Sequence, residues 1–140
     1  GENSSSICMT LKNNGFTSPQ IGGIMANLFA ESGFNPAAFN PGGGGQGAYG
    51  IAQWRGNRQA ALKSLANYDT LGVQLSFLLS ELNSSEAAAK SALLSSGGDA
   101  NSLAYVFCSR YERPGGTICT ERQNSGNGLS YSNYATNNCS

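Results

Sequence analysis

The chain has 140 residues, 39% of them hydrophobic, with eight basic and eight acidic side chains and no histidine. That size and composition suit one globular domain with a real core, while zero net charge excludes a basic nucleic-acid footprint and any electrostatic pull toward an anionic surface. The apolar runs are far short of a membrane span, and without histidine there is no Ser-His-Asp triad, Cys-His peptidase or HExxH zinc site.

Taken in chain order, residues 4–14 read as a short helix stopped by Gly15. Thr17 then offers a capping hydroxyl, Pro19 falls in the first turn, and Gln20 completes a capping box. Ile21, Ile24, Met25, Leu28 and Phe29 recur at i, i+3, i+4, i+7 and i+8, which predicts an amphipathic helix reaching Glu31. At about 100° per residue, Ser32 falls at the middle of the apolar face and Glu31 at its edge, beside Ile24 and Leu28. Gly22 and Gly23 leave part of this helix flat for close packing.

Residues 33–56 contain Pro36, Pro41 and the run from Gly42 to Gly45, a composition that predicts a loop or small hairpin. Helical periodicity returns over residues 57–67, and again in Leu71, Leu75, Leu78, Leu79 and Leu82. Residues 85–95 are alanine-rich and helical. Gly97 and Gly98 break that run, and Asp99 caps a further helix carrying Leu103, Val106 and Phe107, stopped at Pro114-Gly-Gly. The polar remainder offers Leu129, Tyr131 and Tyr134 as anchors, and Cys139 to tie the end down. The expected architecture is a mainly α single domain over 1–140, with a small irregular loop or hairpin inserted after the second helix.

Cys8, Cys108, Cys119 and Cys139 form an even set without CxxC spacing. Two disulfides, and with them a secreted or extracellular setting, are expected over four buried thiols; all three pairings stay open. The first residues carry no signal-peptide pattern, and Gly1 fits a mature terminus or an expression remnant equally well.

What chemistry survives is carboxylate chemistry. No Ser-x-x-Lys occurs, because Met9, Ala60 and Ala87 stand three before the three lysines. Glycosidic bond cleavage is the commonest reaction run by carboxylates alone. Its general acid must stay protonated near neutral pH, and a carboxyl at the margin of an apolar helix face has its pKa raised by desolvation. Glu31 stands where such an acid would stand; the plainer alternative is a turn cap or a partner for an arginine. No other Asp or Glu occurs between Glu31 and Asp69.

Glu31-Ser-Gly-Phe-Asn-Pro36, followed by Gly47-Ala-Tyr-Gly-Ile-Ala-Gln-Trp54, resembles the paired motifs of the lysozyme-like superfamily, as found in lytic transglycosylases and goose-type lysozymes. Within it the chain is most similar to phage-tail-type lysozymes, through Gly47 to Arg58, the segment Tyr111-Glu-Arg-Pro-Gly115, and a middle helix from Gln74-Leu75 to Glu81-Leu82. The similarity spans roughly residues 15–115, and it is the pairing of motifs that makes it specific.

The resemblance implies a lysozyme-like fold, with Glu31 as catalytic acid, Ser32 orienting it, and Gln53 binding an N-acetyl group or positioning water. Tyr49 and Trp54 would line the sugar groove, although Trp54 can equally be core. Ala104-Tyr105-Val106 falls where transglycosylases carry Ala-Tyr-Asn, so Tyr105 would contact the acid; Tyr111 is its rival, and both can instead be core tyrosines. Glu112 is the best remaining second carboxylate, against the alternative of an ion pair with Arg55, Arg58 or Arg110. The implied activity is cleavage of the β-1,4 bond between N-acetylmuramic acid and N-acetylglucosamine in peptidoglycan, without metal or cofactor, by a monomer. The rival outcomes are a lytic transglycosylase giving 1,6-anhydro ends and a non-catalytic peptidoglycan-binding module.

Overall fold

A computed structural model describes residues 1–42 and 45–139 of the chain; the Gly43 and Gly44 part of the expected glycine loop lies outside the described residues. The helices run in the order α1 (Glu2–Asn13), α2 (Ser18–Ser32), α3 (Gly56–Lys63), α4 (Leu71–Leu82), α5 (Ala87–Ser95), α6 (Ala100–Phe107), α7 (Ile118–Asn124) and α8 (Asn127–Asn138). A π-helical turn, Cys108–Glu112, continues α6. After α2 come two short strands, β1 (Phe39–Asn40) and β2 (Ala48–Tyr49), paired antiparallel with Phe39 opposite Tyr49. The fold is mainly α with a small hairpin after the second helix, as its periodicity predicts.

The capping box forms as expected: Gln20 N donates to Thr17 Oγ1 at 3.4 Å, and Thr17 N donates to Gln20 Oε1 at 2.9 Å. Asp99 likewise accepts from Ser102 N at 2.8 Å. Such caps satisfy N–H groups that a helix start leaves without partners. Helix α2 runs through the middle of the molecule and packs on α8, α6 and α1. Its Ile21, Ile24, Met25 and Leu28 are fully buried, each contributing about 2 kcal/mol of apolar burial. Phe29 departs from the predicted face: it is 45% exposed and leans on Phe34 and Tyr131, with centroids 5.6 and 5.9 Å away.

The flat strip on α2 is used from both sides. A Cβ on Gly22 would fall 2.7 Å from Ser132 N and collide with Gly128 O, and one on Gly23 would fall 2.7 Å from the Leu103 carbonyl carbon. Backbone stands against backbone, so the neighbours cannot rotate away. Gly22→Ala is expected to destabilise the domain by about 1–3 kcal/mol through overpacking, read as a lower melting temperature; an unchanged one would mean α8 can shift outward freely.

The C-terminal segment is the main correction. It folds into α7 and α8, and α8 lies on α2 through Gly128, Ser132 and Ala135, all buried. Leu129, an expected anchor, is 51% exposed, whereas Tyr131 and Tyr134 do pack on the core. Small residues rather than large apolar ones make this contact, which is why the segment reads as polar. Smaller differences are at boundaries: α1 begins at Glu2, α3 ends at Lys63 and α5 begins at Ala87. The disulfides are Cys8–Cys139, joining the two ends of the described chain, and Cys108–Cys119, joining the π-turn to α7.

Candidate active site

Helix α2 ends at Ser32, where Gly33 turns left-handed at φ 61° and donates its N–H to Phe29 O at 2.8 Å. Asn27 and Glu31 are four residues apart and so share one face near this end. Asn27 is fully buried, and its Nδ2 donates to Gly23 O and Ala104 O, both at 2.9 Å, which locks α2 to α6.

The loop facing this end is held from three sides. Ser32 Oγ lies 2.9 Å from Leu28 O and 2.8 Å from Ile51 O, so its one proton ties the helix end to the loop. Buried Gln74 accepts from Ile51 N at 2.9 Å and donates to Pro36 O and Tyr68 O at 2.8 and 3.0 Å. Gly50, at φ 86°, lets the backbone pass this amide, since a Cβ there would come 2.8 Å from Gln74 Oε1. Gln53 is itself left-handed at φ 56°, an uncommon conformation for a side-chain-bearing residue. Its Nε2 donates to Ala38 O and Gly50 O, each at 3.1 Å.

Between the helix end and this loop lies a cleft of about 370 Å³ lined by Glu31, Gln53, Arg55, Glu112, Arg113 and Arg122, among others. Arg122, from α7, sets Nη2 at 3.1 Å from Glu31 Oε2 and donates Nη1 to Asn27 Oδ1 at 2.8 Å. The two charged side chains are only 18% and 11% exposed. Burial pushes the Glu31 carboxyl above the usual range, and the Arg122 charge and hydrogen bond, then Arg55, pull it only partly back.

Glu112 enters the same cleft from the π-turn, where Arg113 N reaches Cys108 O at 2.7 Å and Arg113 is left-handed at φ 53°. Such turns are frequent at functional sites, because the extra residue changes the direction of the side chains that follow. Glu112 Oε2 is shut off from solvent without a hydrogen-bond partner. Its carboxyl is held well above the ordinary range, first by burial and next by the charge of Glu31, against Arg122 and Arg58. Among the described residues the ion pairs are Arg58–Glu81, Arg113–Glu86 and Arg122–Glu31, so none engages Glu112.

Thus Glu31, Gln53 and Glu112 meet in one cleft, with Ser32 fastening its wall. The aromatic residues expected beside them do not present their faces there. Trp54 borders the cleft but is 2% exposed; its Nε1 donates to Glu81 Oε1 and to Tyr111 Oη, both at 3.0 Å. Tyr111 is fully buried, stacked on Phe107 at 4.6 Å, and donates its hydroxyl to Glu81 Oε1. Both are core residues, because buried Glu81 supplies the acceptor their polar tips require. Tyr49 lies outside the cleft lining, against Tyr68 and Lys63. Tyr105 is 41% exposed and lines a separate hollow with Ser109, Arg113 and Pro114, so it does not reach the acid.

A family model for phage tail lysozyme matches residues 2–134. The chain belongs to the phage tail lysozyme family. Compared with curated proteins, it matches none. Family membership makes this chain a peptidoglycan-degrading enzyme that acts on the bacterial cell wall, and no helix among the described residues is long and apolar enough to cross a membrane. The match covers more than the motif resemblance did, since it takes in α1, α7 and most of α8.

Sequence reasoning missed Arg122, which lines the candidate cleft of this phage tail lysozyme, and the role of Glu81, which holds Arg58, Trp54 and Tyr111 behind it. Arg122 sits in a stretch read as polar tail, and its helix reaches the cleft by packing on α6 and through the Cys108–Cys119 link, which spacing leaves undetermined. Glu81 is visible as a charge interrupting a leucine-rich helix, a signal of a buried acid with partners. It accepts from Arg58 Nε at 2.8 Å and Nη2 at 2.9 Å as well as from Trp54 and Tyr111.

Proposed function

We propose that this phage tail lysozyme is a muramidase that hydrolyses the β-1,4 bond between N-acetylmuramic acid and N-acetylglucosamine, with Glu31 as general acid. The observation that carries this reading is the Glu31 carboxyl itself: it is mostly shielded, faces a cleft, and is kept easier to protonate than a free glutamate even with Arg122 beside it. A proton donor to a leaving sugar oxygen needs that environment. Gln53, set in a strained turn on the wall opposite, holds its amide through two carbonyls and is the group we assign to the substrate N-acetyl group or to water. Ser32 acts indirectly, by fixing the loop that carries Gln53.

Hydrolysis is favoured over transglycosylation by Glu112. A second carboxyl in the same cleft gives an attacking water a partner, which substrate-assisted ring closure does not need. The enzyme works as a monomer without metal or cofactor in this reading, and its two disulfides suit delivery outside the reducing cytosol. Mass spectrometry of purified peptidoglycan after incubation tests it. Free reducing muramic acid ends are expected. Ends lighter by one water would make the protein a transglycosylase, and no release from several wall types would leave a binding module.

A further inference from the structure

The surroundings of Glu31 pull in opposite directions, burial toward the acid and Arg122 toward the carboxylate. A general acid must carry a proton when substrate arrives, yet the guanidinium of Arg122 lies 3.1 Å from Glu31 Oε2 and favours the carboxylate. Arg122 is not loosely placed. Its Nη1 is held by Asn27 Oδ1, Asn27 is locked to α2 and α6, and Cys119, three residues before Arg122, is bonded to Cys108. Glu112 has the opposite surroundings: it lines the same cleft, one oxygen is closed off from water and partners, and no ion pair among the described residues neutralises it.

We propose that Glu31 and Glu112 share one proton across the cleft and that Arg122 sets its resting place, with Glu31 the carboxylate and Glu112 the acid until substrate enters. The proposal rests on Glu31 being the acid of the hydrolase reading above. In the reaction the O–H bond of Glu112 breaks as its proton passes to a water in the cleft, and that water gives one of its own protons to Glu31. Glu31 then gives that proton to the glycosidic oxygen as the bond to the anomeric carbon breaks. Water adds its hydroxyl oxygen to that carbon and returns its proton to Glu112, which restores both carboxyls to their starting states. Arg122 is a positioning residue here, since it acts through Glu31.

The charges around the pair are consistent with this division. Glu31 faces Arg122 from α7 and Arg55 from the loop; Glu112 faces Glu31, Arg122, Arg58 from α3 and Glu81 from α4, with Tyr111 beside it. Like carboxyls in one site cannot both ionise freely, and the one with the closer cation ionises first. Burial and the neighbouring carboxylate raise Glu112 well above its ordinary range, whereas Glu31, although raised by burial, has the closer counter-charge.

The experiment is a pH profile of muropeptide release for wild type, Glu112→Gln, Arg122→Gln and Arg122→Lys, with melting temperatures measured over the same pH range. Glu112→Gln is expected to lose at least about tenfold in rate at neutral pH and to move the alkaline limb toward acid by about one unit. Arg122→Gln moves that limb the other way, because Arg122 lowers the proton affinity of both carboxyls, and Arg122→Lys restores it. Limbs that stay in place, or that move together, overturn the proposal. Melting temperatures read the proton without relying on activity. A carboxyl with a raised folded pKa is costless below the unfolded value of 4.5 and weakens the fold progressively as pH rises through its folded value. The melting temperature of Glu112→Gln should therefore match wild type in acid, exceed it increasingly as pH rises above 4.5, and hold a constant lead once pH has passed the folded value. A difference that is flat with pH overturns the shared proton even if wild type releases nothing from any wall, the result that would sink the hydrolase reading separately.

Discussion

Glu31→Gln is expected to slow muropeptide release by roughly 10²–10⁴-fold, the range that a positioned general acid supplies. The substitution is nearly isosteric, and the amide oxygen can still accept from Arg122, so the ion pair becomes a hydrogen bond and the chain should fold. What it removes is the ability to carry a proton to the leaving oxygen. Two further measurements give the rate meaning. A melting temperature close to wild type excludes unfolding, and retained sedimentation with insoluble peptidoglycan separates chemistry from binding. If release stays within about tenfold of wild type, Glu31 is not the acid, and Glu112, in the same cleft, becomes the first alternative.

The second large effect lies in stability rather than chemistry. Glu81 is 5% exposed and is the shared acceptor for Arg58, Trp54 and Tyr111. Glu81→Ala would take the shared acceptor from a guanidinium, an indole N–H and a phenol, leaving the indole only Tyr111 Oη and the phenol buried without an acceptor. Breaking a buried charged pair on one side costs about 3–5 kcal/mol, which for a domain of this size corresponds to a drop of roughly 10–15 °C in melting temperature. Arg58 retains 24% exposure and can recruit some water, so the lower part of that range is the better expectation. A drop of less than about 3 °C would mean that the three donors find other acceptors. Loss of activity should accompany the loss of stability, because Arg58 also donates to Tyr111 O at 3.0 Å, next to Glu112.

These two residues show how differently a site and its support are written in a chain. Glu31 is legible because its neighbours are local: the Ile21-to-Leu28 stripe fixes the helix phase, and the following motif supplies the loop. Gln53 is legible through the same motif, although its left-handed backbone is not. Trp54 and Tyr111 are ambiguous in sequence, since an aromatic ring suits a sugar groove and a core equally. The burial of Glu81 resolves that ambiguity, because the polar tips of both rings turn inward to reach it.

By itself the sequence determines the helical class, the caps at Thr17 and Asp99, the flat glycine face of α2 and the position of Glu31 at the rim of an apolar stripe. All of these depend on periods and spacings within a few turns of chain, where backbone geometry leaves few choices. Tertiary structure alone decides that Glu112 faces Glu31, that Arg122 crosses from α7 to pair with the acid, and that Cys8 joins Cys139. Arg122 and its anchor Asn27 are 95 residues apart, and no period relates them. Their meeting is set by how α8 and α6 close on the glycines of α2, a packing choice that depends on the whole core and appears in no local pattern.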